Sequence, residues 1–402
     1  MKTIYISGSK SESNRLLILQ KLLGNIKIEN ISNAKDTQLL FHALNEDSEV
    51  IDIHHAGTAM RFLTAYLAIQ EGRITTLTGS ERMKQRPIHH LVNALRDLGA
   101  DIEYMENEGF PPLKIRGKKL TKNLVQIPAN ISSQFITALM LIGTKMERGL
   151  TIRLLGKATS LPYIEMTMKI LQELGIKVTQ KQETDTNSRE ISSLYISPST
   201  HRNTITKFIV ESDWSSASYF YSTVAIGNKL LRLKNFKRNS LQGDSKITAI
   251  YASFFGVETI FNEDESILLR PIENFNYPER ILMDMNDCPD IAQTLCVTAS
   301  AMKIHFHITG LSTLKVKETD RLIALQNELK KIGVVTEITD SSIRSISFHP
   351  TSAPVSIATY EDHRMAMSFA PLKLLQDIEI QHPEVVEKSY PNFWKDFYYA
   401  IH

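Results

Sequence analysis

Cysteine is nearly absent from this 402-residue chain. Cys288 and Cys296 are the whole complement, they form no CxxC, and no His/Cys cluster accompanies them. Neither a disulfide framework nor a structural zinc site is expected, and a reducing compartment is. A surplus of one charge is missing too. Lys and Arg number 46 against 44 Asp and Glu, a formal net charge of +2, so no global field recruits nucleic acid or membrane. Any anion binding has to come from local arrangement. Long apolar runs are also lacking. The stretch "FITALMLIG" (Phe135–Gly143) is too short to span a bilayer, and "MKTIYISGSK" at the start reads as strand and turn rather than a leader. There is no low-complexity linker; the polar "QKQETDTNSRE" (Gln180–Glu190) reads as a loop or hairpin tip. These absences predict a cytoplasmic protein with no membrane or nucleic-acid partner. What is present is an ordinary globular composition, 42% hydrophobic and 22% charged, in a chain long enough for two domains of about 150–200 residues.

A pattern recurs six times. Small or polar residues open an apolar helix-like run, which a short turn joins to an alternating strand. The copies span Ser13–Ser32, Thr58–Ser80, Ser132–Gly156, Ser215–Phe236, Asp290–Ser312 and His363–Pro383. A second helix-like segment usually follows, often stopped by glycine, as in "LVNALRDLGADIE" and "LIALQNELKKIGVVTE". Six units of roughly 65–70 residues are too long for a thin solenoid and suit small α/β units packed in groups. Three units per half gives two similar domains. The first helix of each unit is apolar nearly all round and is therefore expected to be buried. Parallel buried helices under outer sheets would gather their N-termini, with their partial positive charge and unpaired N–H groups, at one end of each half.

Those six starts are chemically loaded. They carry Lys10, Ser11, Ser13 and Arg15; Gly57, Thr58 and Arg61; Ser132, Ser133 and Gln134; Asp213, Ser215 and Ser216; Asp290; and Asp362, His363 and Arg364. Ser, Thr and Asp are ordinary N-cap residues and need no ligand. The cations are different, because Lys and Arg are unfavourable beside a positive helix end unless an anion offsets the repulsion. Three further stretches are rich in cations: "GSERMKQRPIHHL" with Arg82, Lys84 and Arg86; "LKVKETDRLIAL" with Lys317, Glu318 and Arg321; and "VVEKSYPNFW" with Lys388. If a helix begins at VKETDRL, Lys317 and Arg321 lie one turn apart on one face.

Together "GSKSESNR", "AGTAMR", "RMKQRP", "SSQF", "DWSSASYF", "VKETDRL" and "EDHRMAM" resemble, in order and over nearly the whole chain, the 3-phosphoshikimate 1-carboxyvinyltransferase (EPSP synthase) family of enolpyruvyl transferases. The resemblance implies an α/β fold of two similar domains, each of three βαβαββ-type units with buried parallel helices and outer sheets, and an active site in the interdomain cleft. The chain would cross twice, giving one domain from residues 10–210 and another from 1–9 plus 211–402. The implied reaction moves the enolpyruvyl group of phosphoenolpyruvate to the 5-hydroxyl of shikimate 3-phosphate, in chorismate and aromatic amino acid biosynthesis. By the same resemblance Lys10, Ser11, Arg15, Ser132, Ser133, Gln134, Ser160, Tyr163, Asp290 and Lys317 would hold shikimate 3-phosphate. Lys10, Gly57, Arg82, Gln134, Arg321, Arg364 and Lys388 would hold phosphoenolpyruvate. Asp290, Glu318 and Lys10 would be catalytic. No metal or organic cofactor is implied, and a monomer is expected.

The sequence departs from the family pattern at two places. His55 stands before AGTAMR where the family usually has asparagine, and Thr313 matches another usual asparagine. The closest rival is the enolpyruvyl transferase acting on UDP-N-acetylglucosamine, which usually has a lysine-asparagine pair and a reactive loop cysteine. Here Ser11 follows Lys10 and the region around Arg82 has no cysteine. A non-catalytic phosphate-ligand-binding protein using the same helix ends is the other alternative.

Overall fold

The computed structural model describes residues 1–156, 161–184, 190–199 and 205–402. The chain divides into two compact units, Lys10–Val210 and the pair Met1–Ser9 with Glu211–His402. Among the described residues no helix is long and apolar enough to cross a membrane.

The same strand order is found four times. In Lys10–Val210 one sheet runs Val50–Asp52, Ile74–Thr78, Leu113–Arg116, Asp101–Tyr104, and another runs Leu124–Pro128, Leu150–Leu155, Glu190–Ile196, Val178–Thr184. The first pair in each is parallel and the other two are antiparallel. The other unit repeats this order with Lys2–Ile4, Leu231–Leu233, Ile267–Pro271, Val257–Phe261, and with Arg280–Asp284, His305–Thr309, Ile343–Phe348, Val334–Ile338. A parallel first pair requires a crossover; a helix supplies it in three of the sheets, and between Lys2–Ile4 and Leu231–Leu233 the chain passes through Lys10–Val210 before the helix Trp214–Gly227. The antiparallel pairs close the βαβαββ pattern. Each unit's remaining strands form only a parallel pair, Thr206–Ile209 with Ile26–Glu29 and Val355–Ile357 with Ile378–Ile380. Among the described residues, one repeat in each unit is thus represented by a parallel pair alone. Gln180–Glu190, expected as a loop or hairpin tip, begins inside the strand Val178–Thr184, which pairs antiparallel with Glu190–Ile196; residues 185–189 lie outside the described residues.

Six helices carry the starts identified above: α1 (Lys10–Leu23), α2 (Gly57–Ala68), α3 (Ser133–Gly143), α4 (Trp214–Gly227), α5 (Ala292–Ala301) and α6 (His363–Phe369). All are largely buried; in α2 every residue but Thr58 is. Burying each Leu, Ile or Phe contributes about 1.5–3 kcal/mol, which is why these helices sit inside and the sheets outside. Within each unit the three touch one another. In the unit containing Glu211–His402 several of their hydroxyls meet one another: Ser218 and Thr294 are 3.1 Å apart, Thr294 and Ser368 3.1 Å, and Thr298 and Ser222 2.8 Å. Moving four residues along α4 moves four along α5 in the same sense, so those two helices run parallel and their N-termini share one end.

Candidate active site

In the unit containing Glu211–His402, the starts of α4, α5 and α6 meet in a network of ions. Asp290 lies in a 3-10 turn, Pro289–Ile291, just before α5. Asp362 caps α6 by accepting from the Arg364 N–H at 2.8 Å. The helix after VKETDRL spans Arg321–Lys331, because Asp320 accepts from the N–H groups of Leu322 and Ile323 and so fixes its start. Lys317 and Glu318 therefore precede the helix instead of riding on its face. Lys317 and Arg321 nevertheless reach the same atom.

Arg321 is the centre. Its side chain is 2% exposed, and its fork donates to three carboxylates: Nε to Asp362 Oδ2 at 2.6 Å, Nη1 to Asp290 Oδ1 at 3.1 Å, and Nη2 to Glu318 Oε2 at 2.8 Å. Burial opposes its charge, but Asp362 and then Glu318 outweigh that and push its pKa above the usual arginine value. Lys317 Nζ lies 3.4 Å from Asp290 Oδ1, Arg364 Nη2 lies 3.4 Å from Asp290 Oδ2, and Lys388 Nζ lies 2.9 Å from Glu318 Oε1. Burial lowers the Lys317 pKa, Asp290 works against that, and Arg321 adds to the lowering. Four cations (Lys317, Arg321, Arg364, Lys388) thus interleave with three carboxylates (Asp290, Glu318, Asp362). A cluster of fixed cations with helix N-termini beside it is suited to an anionic ligand.

In Lys10–Val210, Lys10 opens α1 and its Nζ pairs with Asp36 at 3.1 Å. Arg15 is buried. Its Nε donates to Thr167 at 2.8 Å, Nη1 to the Ser11 carbonyl at 2.7 Å, and Nη2 to Thr137 at 3.3 Å and the Tyr163 carbonyl at 3.2 Å. Its guanidinium also lies 6.0 Å from the centre of the Tyr163 ring. Burial lowers its pKa to about 10, with Tyr163 the largest opposing influence. Arg15 therefore ties the start of α1 to α3 and to the helix Leu161–Glu173. Gln134 Nε2 donates to Thr58 Oγ1 at 3.1 Å, which joins the starts of α3 and α2. Ser132 caps α3 and is exposed, whereas Ser133 is buried. Gly57 gives close access: a Cβ there would meet Arg86 Nη1 at 2.5 Å. Arg82 rides on the short helix Glu81–Lys84, capped by Ser80, and His55 Nδ1 is 2.9 Å from that same Ser80 hydroxyl. Ser160 lies outside the described residues.

Reasoning from sequence missed three polar groups that organise these clusters. Asp36, Thr167 and Asp244 sit in no motif that marked a helix start. Asp244 follows "SLQG", a stretch without a charge pattern of its own, and only the fold brings it to Ser215.

Both cysteine thiols are buried. Burial, followed by the charge of Asp244, pushes Cys288 up to about 12, and burial raises Cys296 as well. The thiolate is the reactive form. The native protein is therefore expected to give almost no thiol colour with Ellman's reagent at neutral pH, and the urea-denatured chain to report both cysteines. A fast-reacting thiol in the native protein would contradict this.

Solved structures first define the class. The structure of EPSP synthase from Acinetobacter baumannii matches with a TM-score of 0.71, covering 99% of this chain and 95% of that one, at 22% identity. The enolpyruvyl transferase NikO from Streptomyces tendae matches with a TM-score of 0.72, covering 100% of this chain and 94% of that one, at 12% identity. The fold is that of an enolpyruvyl transferase. At the level of sequence, the family model for EPSP synthase (3-phosphoshikimate 1-carboxyvinyltransferase) matches residues 43–397. The 3-phosphoshikimate 1-carboxyvinyltransferase of Bacteroides fragilis is 44% identical over 400 residues, 98% of this chain and 94% of that protein. The one from Haemophilus influenzae (strain PittGG) is 37% identical over 430 residues, 98% of this chain and 95% of that protein. The chain belongs to the EPSP synthase family.

Proposed function

We propose that the protein transfers the enolpyruvyl group of phosphoenolpyruvate to the 5-hydroxyl of shikimate 3-phosphate and releases phosphate. The observation that carries this reading, beside family membership, is the network in which Asp290 and Glu318 are held among four cations. Each substrate brings a carboxylate and a phosphate, so fixed cations are needed in number. The chemistry is addition followed by elimination. The hydroxyl oxygen bonds to C2 of phosphoenolpyruvate as a base takes its proton, while C3 gains a proton from an acid. Then the bond from C2 to the phosphate oxygen breaks, C3 loses a proton, and the vinyl ether remains. One acid and one base, exchanging roles, serve both halves.

Lys10, Ser11, Arg15, Ser132, Ser133, Gln134, Ser160, Tyr163, Asp290 and Lys317 are assigned to shikimate 3-phosphate. Lys10, Gly57, Arg82, Gln134, Arg321, Arg364 and Lys388 are assigned to phosphoenolpyruvate. Asp290, Glu318 and Lys10 handle protons and the departing phosphate. Arg321 also orients the acids, donating to Asp290, Glu318 and Asp362. The same reading takes the enzyme as a cytoplasmic monomer needing no metal or organic cofactor.

A coupled assay for phosphate release tests it. Release is expected only when phosphoenolpyruvate and shikimate 3-phosphate are both present. Release with UDP-N-acetylglucosamine in place of shikimate 3-phosphate, or with neither acceptor, would overturn the assignment. Two buried cysteines with raised thiol pKa values also weigh against the rival that uses a reactive loop cysteine.

A further inference from the structure

Behind the carboxylate of Asp290 lies a second buried acid. Asp244 sits in the 3-10 turn Gly243–Lys246 and is 4% exposed. One of its oxygens, Oδ2, accepts from the Ser215 hydroxyl at the start of α4. The other, Oδ1, is buried without a hydrogen-bond partner. Ser215 Oγ in turn lies 3.4 Å from Arg364 Nη2, and the same nitrogen lies 3.4 Å from Asp290 Oδ2. Asp244, Ser215, Arg364 and Asp290 therefore form one chain, with Arg364 bracketed between a hydroxyl and a carboxylate.

We propose that Asp244 is a positioning residue that holds Arg364 through Ser215, and that it sheds its own negative charge by taking up a proton when the anionic substrate binds at Arg364. This rests on the reading of Arg364 as a phosphoenolpyruvate ligand.

The geometry allows two states. As a carboxylate, Asp244 accepts the Ser215 hydroxyl, which leaves the serine lone pairs to Arg364. As a carboxylic acid, it donates its own O–H to Ser215 Oγ. The serine still has a lone pair for Arg364, and its proton turns outward. A buried carboxylate oxygen without a donor favours the acid form. The groups facing Asp244 point the same way on balance. Burial pushes it up to about 7, the charges of Asp290 and Asp213 add to that, and Arg364 and Ser215 oppose it. Cys288 is another titratable neighbour. A group with a midpoint near neutrality is charged above it and neutral below, so a bound anion meets repulsion from Asp244 only on the alkaline side.

The test compares the Michaelis constant for phosphoenolpyruvate in the full-length enzyme and in Asp244→Asn across about pH 6 to pH 8.5. The amide keeps the shape and the hydrogen bond to Ser215 but cannot ionise. Taking the ratio of wild-type to variant KM cancels the substrate's own phosphate titration. The ratio is expected to rise at least about threefold from the acid to the alkaline end, following a single ionisation. A ratio that stays flat over this range overturns the charge-shedding role. Asp244→Ala and Ser215→Ala break the link itself. Each is expected to raise KM for phosphoenolpyruvate about five- to tenfold with a smaller change in kcat, and the double variant is expected to match the singles. Additive effects, or losses confined to kcat, overturn the positioning role. Absence of phosphate release by the wild type would strike the proposed function instead, so the two failures are distinct.

Discussion

Replacing Arg321 with methionine is expected to destabilise the unit containing Glu211–His402 by about 3–5 kcal/mol, the usual result of removing one partner from a buried ionic cluster. The side chain is 2% exposed and its fork answers three acids, of which Asp362 is itself fully buried. Without the guanidinium, Asp362 keeps the Arg364 N–H at the start of α6 and the neighbouring His363 ring, and Asp290 and Glu318 lose the cation that sets them apart from each other. Methionine fills much of the space but answers none of them. Lysine does little better, because one ammonium on a flexible stem cannot meet three carboxylates in fixed directions. Urea unfolding followed by tryptophan fluorescence reads this cleanly, since both tryptophans, Trp214 and Trp394, belong to that unit. The signal is then blind to Lys10–Val210. A loss below about 1 kcal/mol, the level of an ordinary surface substitution, would show that the cluster is not held by Arg321.

The repeat was legible because burial writes itself into composition: Leu16 to Leu19 and nearly all of α2 are apolar without a polar face, and they are inside. Cations at helix starts were legible because they are electrostatically out of place there. What each cation does was not. Arg15 and Arg364 look alike in sequence, yet the fold surrounds the first with Thr137, Thr167 and two backbone carbonyls, and sets the second between Ser215 and Asp290. The threonine at 167 comes from 152 residues away, and no local pattern announces such a partner. Lys317 and Arg321 show the same limit at short range. Helical spacing placed them on one face, but the Asp320 cap starts the helix later, and they converge on Asp290 by another path. Asp244 was the least legible residue, because its importance lies wholly in what faces it.

Glu318→Gln is expected to lower kcat by about 10²- to 10⁴-fold, the range that a general acid or base contributes, with a much smaller effect on folding than Arg321→Met. The reason lies in how the two candidate carboxylates are surrounded. Asp290 meets Lys317, Arg321 and Arg364, two of them on one oxygen. Three cations fix the carboxylate in place, which suits it to orient a hydroxyl or balance charge. Glu318 has Arg321 on Oε2 and the ammonium of Lys388, itself a proton-bearing group, 2.9 Å from Oε1. That arrangement offers a carboxylate with a proton donor at its back, and the reaction needs a proton delivered to C3 and later removed. Glutamine keeps the length of the side chain and can still accept from one of the two cations, so binding is expected to survive. The distinguishing measurement is hydrogen exchange at C3. Wild-type enzyme turning over in deuterated water is expected to place deuterium in the methylene group of recovered phosphoenolpyruvate and of product. Glu318→Gln is expected to lose that exchange along with turnover, whereas Asp290→Asn retains exchange relative to its own residual rate. A Glu318→Gln enzyme with kcat within about tenfold of wild type, or one that exchanges deuterium normally, would move the proton-carrying role elsewhere in the network.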